Sequence, residues 1–212
     1  MEPKVAAVLV AAGQGSRMGG GKLLLPLGEH TLVECAVRTF LGASVSELVI
    51  VVGAYALAVQ RALRDYPVRF AFNPDPAAEM IDSVRCGLRA LSSDTLTAFL
   101  IAPADMPLIL PETVHHLVAA LLSSDRLIAV PTFRRRHGHP VAFRAAMYET
   151  VLHFRSPQGL RPLVHGAQFR PLTVPVDDEG VVTDVDSWDD YRHLLRLWQA
   201  RRQQQANLPA KF

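Results

Sequence analysis

Residues 11–22 read Ala-Ala-Gly-Gln-Gly-Ser-Arg-Met-Gly-Gly-Gly-Lys and follow directly on the apolar run 5–10. Glycines in such a turn let backbone N–H groups close on an anion. Arg17 and Lys22 bring two cations to the same loop, a combination suited to a triphosphate. Ala11, Ala12, Gly13, Gly15, Arg17 and Lys22 are therefore the candidate nucleotide cradle. Two familiar templates do not fit it. The P-loop requires a first Gly where Ser16 stands and Ser/Thr where Leu23 stands. The dinucleotide fingerprint requires Gly where Met18 stands.

Acidic residues with the right placement for a divalent cation lie far downstream. Asp105 comes just after the apolar run 98–102. A carboxylate at the carboxyl end of a sheet strand faces the ligand crevice of an open α/β sheet, and Mg²⁺ favours one or two carboxylates completed by phosphate oxygens and water. A turn-capping Asp before Met-Pro is the plainer alternative. In the segment 182–186, Asp184 and Asp186 fall on one face if the chain is extended. The simplest division gives Asp184 to the metal and Asp186 or Ser187 to the cap of the next helix. The run 134–140, Arg-Arg-Arg-His-Gly-His-Pro, reads either as a solvated basic loop or as an electropositive lip for an anionic acceptor. His137 and His139 have metal-pair spacing, but no Cys or third His stands nearby in sequence, so zinc is not expected. No Ser-His-Asp or Cys-His arrangement is legible, so covalent catalysis is not expected.

The elements that must position these groups alternate in period. Runs 5–10, 48–52, 68–72, 98–102, 127–131 and 172–176 read as buried strands. Between them, 31–41, 55–65, 83–91, 111–123 and 187–201 read as helices. Thr31 with Glu34 forms a capping box, and Pro111 suits a first helical turn. Alternating strands and helices predict a single-domain, Rossmann-like α/β fold, with a mostly parallel twisted sheet and helices on both faces. The stretch 134–143 reads as an insertion on the sheet. The domain is expected over 1–198, with a polar, fraying C-terminal tail over 199–212.

Composition narrows the class. Half the residues are apolar and 20% are charged, within the globular range. Lys and Arg number 22 against 20 Asp and Glu, far from the basic excess of a nucleic-acid binder. Two cysteines suit a reducing, cytoplasmic setting and no disulfide scaffold. No stretch approaches the roughly 20 apolar residues of a membrane span.

Taken in order, several motifs resemble one family. Ala11-Ala12-Gly13-x-Gly15-x-Arg17-Met18-Gly19 with Lys22-Leu23-Leu24-Leu25-Pro26-Leu27 is similar to the signature loop of the molybdopterin-related nucleotidyltransferases, above all their molybdenum cofactor cytidylyltransferase branch. The resemblance runs on through Asn73-Pro74, Met80 and Ser83, then Ala104-Asp105-Met106-Pro107-Leu108, Gly138-His139-Pro140, Gly159-Leu160-Arg161, Asp184-Val185-Asp186 and Asp190-Tyr191. It implies a nucleotide-diphospho-sugar transferase-like fold and Mg²⁺-dependent transfer of a nucleotidyl group with release of pyrophosphate. Arg17, Lys22 and Asp105 would carry the reaction, and Asp105 and Asp184 the metal. Asn73 and Ser83 would close on base and ribose, while Arg136, His139 and Arg161 would receive the acceptor. Ala12 stands where guanylyl-type relatives carry Gly, which implies CTP. The implied acceptor is then the phosphate of the molybdenum–pterin cofactor, with a molybdoenzyme as a possible partner. The chain departs from the family at 155–158, where Arg-Ser-Pro-Gln replaces the usual Gly-Asp pattern, and at Ala104, where Gly is usual. A sugar 1-phosphate or other small phosphate as acceptor, or a non-catalytic nucleotide-binding partner of a molybdoenzyme, are the alternatives.

Overall fold

The structure is a computed structural model and describes residues 3–75, 78–92 and 95–206. Its centre is the run of small and branched side chains in β1 (Val5–Ala11), flanked by parallel β4 (Glu47–Val52) and parallel β6 (Ala98–Pro103). These strands are apolar at successive positions because both faces of the sheet are covered. Ala7, Leu9, Ile50 and Leu100 pack on one side with Val33, Val37, Phe40, Leu117 and Leu121. Ala6, Val8, Val49 and Phe99 pack on the other with Val84, Leu88, Val151 and Leu163.

Helix α1 (Leu32–Gly42) starts at the expected capping box, with Thr31 Oγ1 accepting from the Glu34 N–H and the Glu34 carboxylate accepting from the Thr31 N–H at 2.7 Å. Short antiparallel β2 (Pro26–Leu27) and β3 (His30–Thr31) lead into it. Helix α2 (Ala56–Ala62) is shorter than the segment 55–65 predicts. Strand β5 (Arg69–Phe72) extends the sheet beyond β4. Helix α3 (Met80–Ala90) starts three residues earlier than the sequence suggests, because the Asp82 carboxylate takes up the Glu79 N–H and caps the first turn. Helix α4 is Pro111–Leu122 and carries Pro in its first turn as expected.

The second half departs from strict alternation. Strand β7 (Ile128–Phe133) turns into β8 (Arg136–His137), and β9 (Val141–Arg144) then inserts antiparallel between β6 and β7. The stretch 134–143 is thus the insertion the sequence indicates. Helices α5 (Tyr148–His153) and α6 (Arg161–His165) follow, then β10 (Leu172–Pro175), parallel to β7. The sheet order is β10-β7-β9-β6-β1-β4-β5, with β8 paired to β7.

Helix α7 runs Trp188–Ala206, so the described part of the polar C-terminal stretch, 199–206, forms the last turns of a helix. The helix is anchored by Leu194, fully buried in a cluster with Met18, Leu27, Leu32, Leu108 and Val185. The remaining tail, 207–212, lies outside the described residues. No described helix is long and apolar enough to cross a membrane.

Candidate functional site

The loop after β1 turns back on itself through the Met18 and Gly20 N–H groups, each donating to the Gly15 carbonyl at 3.0 Å. Gly19, Gly20 and Gly21 all have positive φ, a conformation other residues adopt at a cost. At Gly20 a Cβ would also meet the Tyr55 hydroxyl, so the exposed Tyr55 side chain would have to swing away. This path delivers Lys22 to the floor of a cleft of about 330 Å³ at the carboxyl ends of β1 and β6.

Lys22 is the centre of the electrostatics. Its ammonium donates to Asp105 Oδ2 at 2.6 Å, to the Val185 carbonyl at 2.7 Å and to Asp186 Oδ1 at 2.8 Å. That engages all three of its donors. Burial alone would lower its pKa, but the Asp105 and Asp186 carboxylates outweigh burial and hold it above the ordinary lysine value. Asp105 is shifted the other way for an acid: burial, with Asp184 and Asp186 adding like charge, raises its carboxyl above the usual range despite the Lys22 ammonium. Asp105 Oδ1 is buried and has no hydrogen-bond partner among the described residues. The Lys22 ammonium thus faces two carboxylates, one of which has an unsatisfied oxygen, with Asp184 near enough to Asp105 to add like charge. That donor set fits a hard divalent cation that draws its remaining ligands from phosphate and water. No group of three or more His, Cys, Asp or Glu able to hold a metal occurs among the described residues, so protein groups alone do not form a closed metal cage.

The cleft gathers most of the expected cradle. Ala11, Ala12, Gly13, Gly15, Arg17, Lys22, Asn73, Ser83 and Asp105 all line it. Arg17 is exposed and reaches Asp186 at 3.4 Å. Asn73 Nδ2 donates to Ser83 Oγ at 3.0 Å, which fixes both side chains on one wall. Asp184 is not in the lining, whereas Asp186 is. The cap falls to Ser187, whose hydroxyl and N–H both donate to Asp190 while the Asp190 N–H donates back to Ser187 Oγ. Asp186 is therefore a partner of Lys22 and Arg17, a role the sequence left as a choice between two caps.

A second cavity of about 510 Å³ adjoins the first, sharing Val10, Met80 and Pro103 with it. Its walls are largely apolar, and His139 and Arg161 line it as expected. Burial pushes the His139 imidazole below its ordinary pKa, a shift that the Ile101 carbonyl and Asp184 oppose without cancelling. Its Nδ1 is buried without a partner among the described residues. Arg136 is not brought to this cavity. It is exposed on β8, as is His137, but successive strand residues point to opposite sides and His137 is the one that lines the cavity. His137, from the candidate acceptor lip, and His165, which the sequence did not single out, stack at 4.8 Å between centroids, with their Nδ1 atoms 3.1 Å apart, and line the same cavity. Nothing in their sequence spacing of 28 residues signals this pairing.

Known proteins agree with this geometry. Residues 7–172 match the family described as the MobA-like NTP transferase domain. A nicotine blue oxidoreductase of Paenarthrobacter nicotinovorans is 33% identical over 91% of this chain and 97% of its own. A 2-C-methyl-D-erythritol 4-phosphate cytidylyltransferase of Frankia casuarinae is 33% identical over 85% of this chain and 70% of its own. Among solved structures, a nucleotidyl transferase from Methanothermobacter superposes with a TM-score of 0.81 at 25% identity, covering 94% of this chain and all of that one.

Proposed function

This chain belongs to the family of MobA-like NTP transferase domains, and on that premise we propose that it transfers CMP from CTP to the phosphate of a molybdenum–pterin cofactor with release of pyrophosphate. The observation that carries the reading is the Lys22 ammonium held between Asp105 and Asp186 at the end of the glycine loop, beside a second cavity able to take an acceptor. Support for CTP comes from Ala12 in the loop and from the relative named a cytidylyltransferase.

The chemistry needs little from the protein beyond position and charge. An acceptor phosphate oxygen attacks the α-phosphorus in line. The new P–O bond forms as the bond to the β-phosphate bridging oxygen breaks, and pyrophosphate leaves with the electron pair. The attacking oxygen is already anionic at neutral pH, so no strong base is required, and catalysis rests on orientation and charge neutralisation. Arg17 and the glycine loop would hold the triphosphate. Lys22 would join them by giving up its bond to Asp186, the more exposed of its two carboxylate partners at 51% against 17%. Asp105 and Asp184 would hold Mg²⁺, which when bound supplies charge neutralisation between the carboxylates and the phosphates. Asn73 and Ser83 would meet ribose and base. His139 and Arg161 would receive the acceptor, and Arg136 stands outside the lining of that cavity.

The similarity to a protein named an oxidoreductase favours a second reading, in which the apolar cavity takes a flat heteroaromatic for reduction. The Lys22–Asp105–Asp186 cluster speaks against it, because hydride transfer develops no phosphate charge for such a cluster to offset. Thermal shift with Mg²⁺ and each of four nucleoside triphosphates tests the nucleotide assignment. A ligand at 100 times its dissociation constant adds about 2.7 kcal/mol, a visible shift. CTP is expected to give the largest shift. A larger one with GTP would move the assignment to guanylyl transfer, and none with any triphosphate would remove the nucleotide reading.

A further inference from the structure

The two acidic segments of the site come from distant parts of the chain, and one buried carboxylate ties their loops together. Asp178 is only 2% exposed at its side chain. Its Oδ2 accepts from the Leu110 N–H and the Thr113 hydroxyl, both at 2.9 Å, and its Oδ1 accepts from the Gly180 N–H at 2.9 Å and from Arg201 at 2.7 Å. Arg201 extends the same tie, donating also to the Leu108 carbonyl. The loop running from Asp105 to Leu110 is thereby bound at its far end to the segment that leads into Asp184 and Asp186. The approach is close enough to exclude a side chain, since a Cβ on Gly180 would lie 2.2 Å from the Leu108 carbonyl oxygen. One residue further on, the Val181 carbonyl accepts from the His139 N–H at 2.8 Å. Three strips that line or flank the two cavities thus meet at the turn 178–182.

We infer that Asp178 and Arg201 are positioning residues for the transfer site, clamping the Asp105 loop, the Asp184–Asp186 segment and His139 at fixed separations, so that helix α7 is part of the catalytic unit. The inference rests on the nucleotidyl-transfer reading for its effect on turnover, but the clamp itself is a statement about three loops. A role confined to capping α4 would account for the bonds to Leu110 and Thr113. It would not account for Arg201 spending one guanidinium on both Asp178 and Leu108, nor for the packing of Gly180 on the same carbonyl. Misplacing reacting groups by about 1 Å costs on the order of 100-fold in rate, whereas the glycine-loop cradle lies outside the clamp.

The test is Arg201→Gln in the full chain, with Arg201→Lys as the conservative variant. Three readouts are taken: melting temperature, hydrogen exchange by mass spectrometry, and steady-state kinetics per folded molecule. In Arg201→Gln, faster exchange is expected in peptides covering 108–114 and 178–185, with peptides from β1 and β4 unchanged. The kcat should fall roughly 10–100-fold with KM for the nucleotide little altered, and Arg201→Lys, which keeps a donor for Asp178, should recover part of it. Unchanged exchange in both loops, or faster exchange everywhere with normal kcat in the folded fraction, would overturn the inference. Absence of transfer by the unmodified chain would overturn the functional reading alone, and the exchange comparison would still decide the clamp.

Discussion

Replacing Asp105 by Asn separates a metal-holding carboxylate from a structural one, because the two roles predict opposite outcomes for stability and activity. The change removes a charge-assisted bond to Lys22, 2.6 Å long, of a kind worth about 1.5–3 kcal/mol. Three features offset that loss. Asn can still accept from the ammonium, Lys22 keeps Val185 and Asp186 as acceptors, and the repulsion from Asp184 and Asp186 disappears. The upward displacement of the Asp105 carboxyl means that burial and those two neighbours together outweigh Lys22. The surroundings as a whole disfavour the anion, so neutralising it costs little. We expect a stability change within about 1 kcal/mol, or roughly 2–4 °C for a domain of this size. Turnover should fall at least 100–1,000-fold, the loss of about 2.7–4 kcal/mol typical when transition-state charge is left uncompensated. Melting is followed by circular dichroism without Mg²⁺, and pyrophosphate release is followed at saturating Mg²⁺. Near-normal turnover would refute the metal role. A melting temperature lower by 10 °C or more would make Asp105 a structural half of an ion pair and refute the view that its surroundings disfavour the anion.

Three further outcomes are expected. Lys22→Ala should cost on the order of 2–4 kcal/mol in kcat/KM, while Lys4→Ala, whose ammonium bonds the Thr95 hydroxyl at the far end of β1 from the cleft, should leave turnover unchanged; equal effects would remove Lys22 from the site. At Glu34, burial would raise the carboxyl, but bonds from Thr31, with help from His30 and Tyr66, hold it below its ordinary 4.5. A depressed folded pKa adds stability that is present above the unfolded value and lost as pH falls through the folded one, so the stability gap to Glu34→Gln should be full at neutral pH and close as the pH falls below 4.5 through the folded value; a gap independent of pH contradicts the capping box. Burial, with Glu34 adding to it, pushes the Cys35 thiol up to about 11, so its alkylation at pH 8 should be far slower than that of a free thiol, and a rate like that of a model thiol would contradict its packing.

What was legible in the sequence was local. The six strands stand within two residues of where branched and apolar runs place them, and the Thr31–Glu34 box begins α1 at the expected residue. Glycine, Arg17 and Lys22 in one turn were enough to locate the cradle, because loop chemistry at the end of a first strand is written in consecutive residues. What escaped depends on contacts across the chain. Lys22 meets Asp105 and Asp186 across 83 and 164 positions, and Asp186 is free to join Lys22 because Ser187 and Asp190 cap α7. Arg136 lies outside the lining of the second cavity while its neighbour His137 lines it, a difference that a run of three arginines does not display. The polar composition after residue 198 suggested fraying, yet Arg201 is tied to Asp178 and Leu108, partners that composition cannot reveal.

The most direct test of the transfer assignment is release of pyrophosphate from each of four nucleoside triphosphates with Mg²⁺, with and without the molybdenum–pterin cofactor. The account predicts release with CTP only when the pterin phosphate is present, one pyrophosphate for each cytosine dinucleotide formed. No release from any triphosphate with the acceptor present, or release that is indifferent to the acceptor, would contradict it.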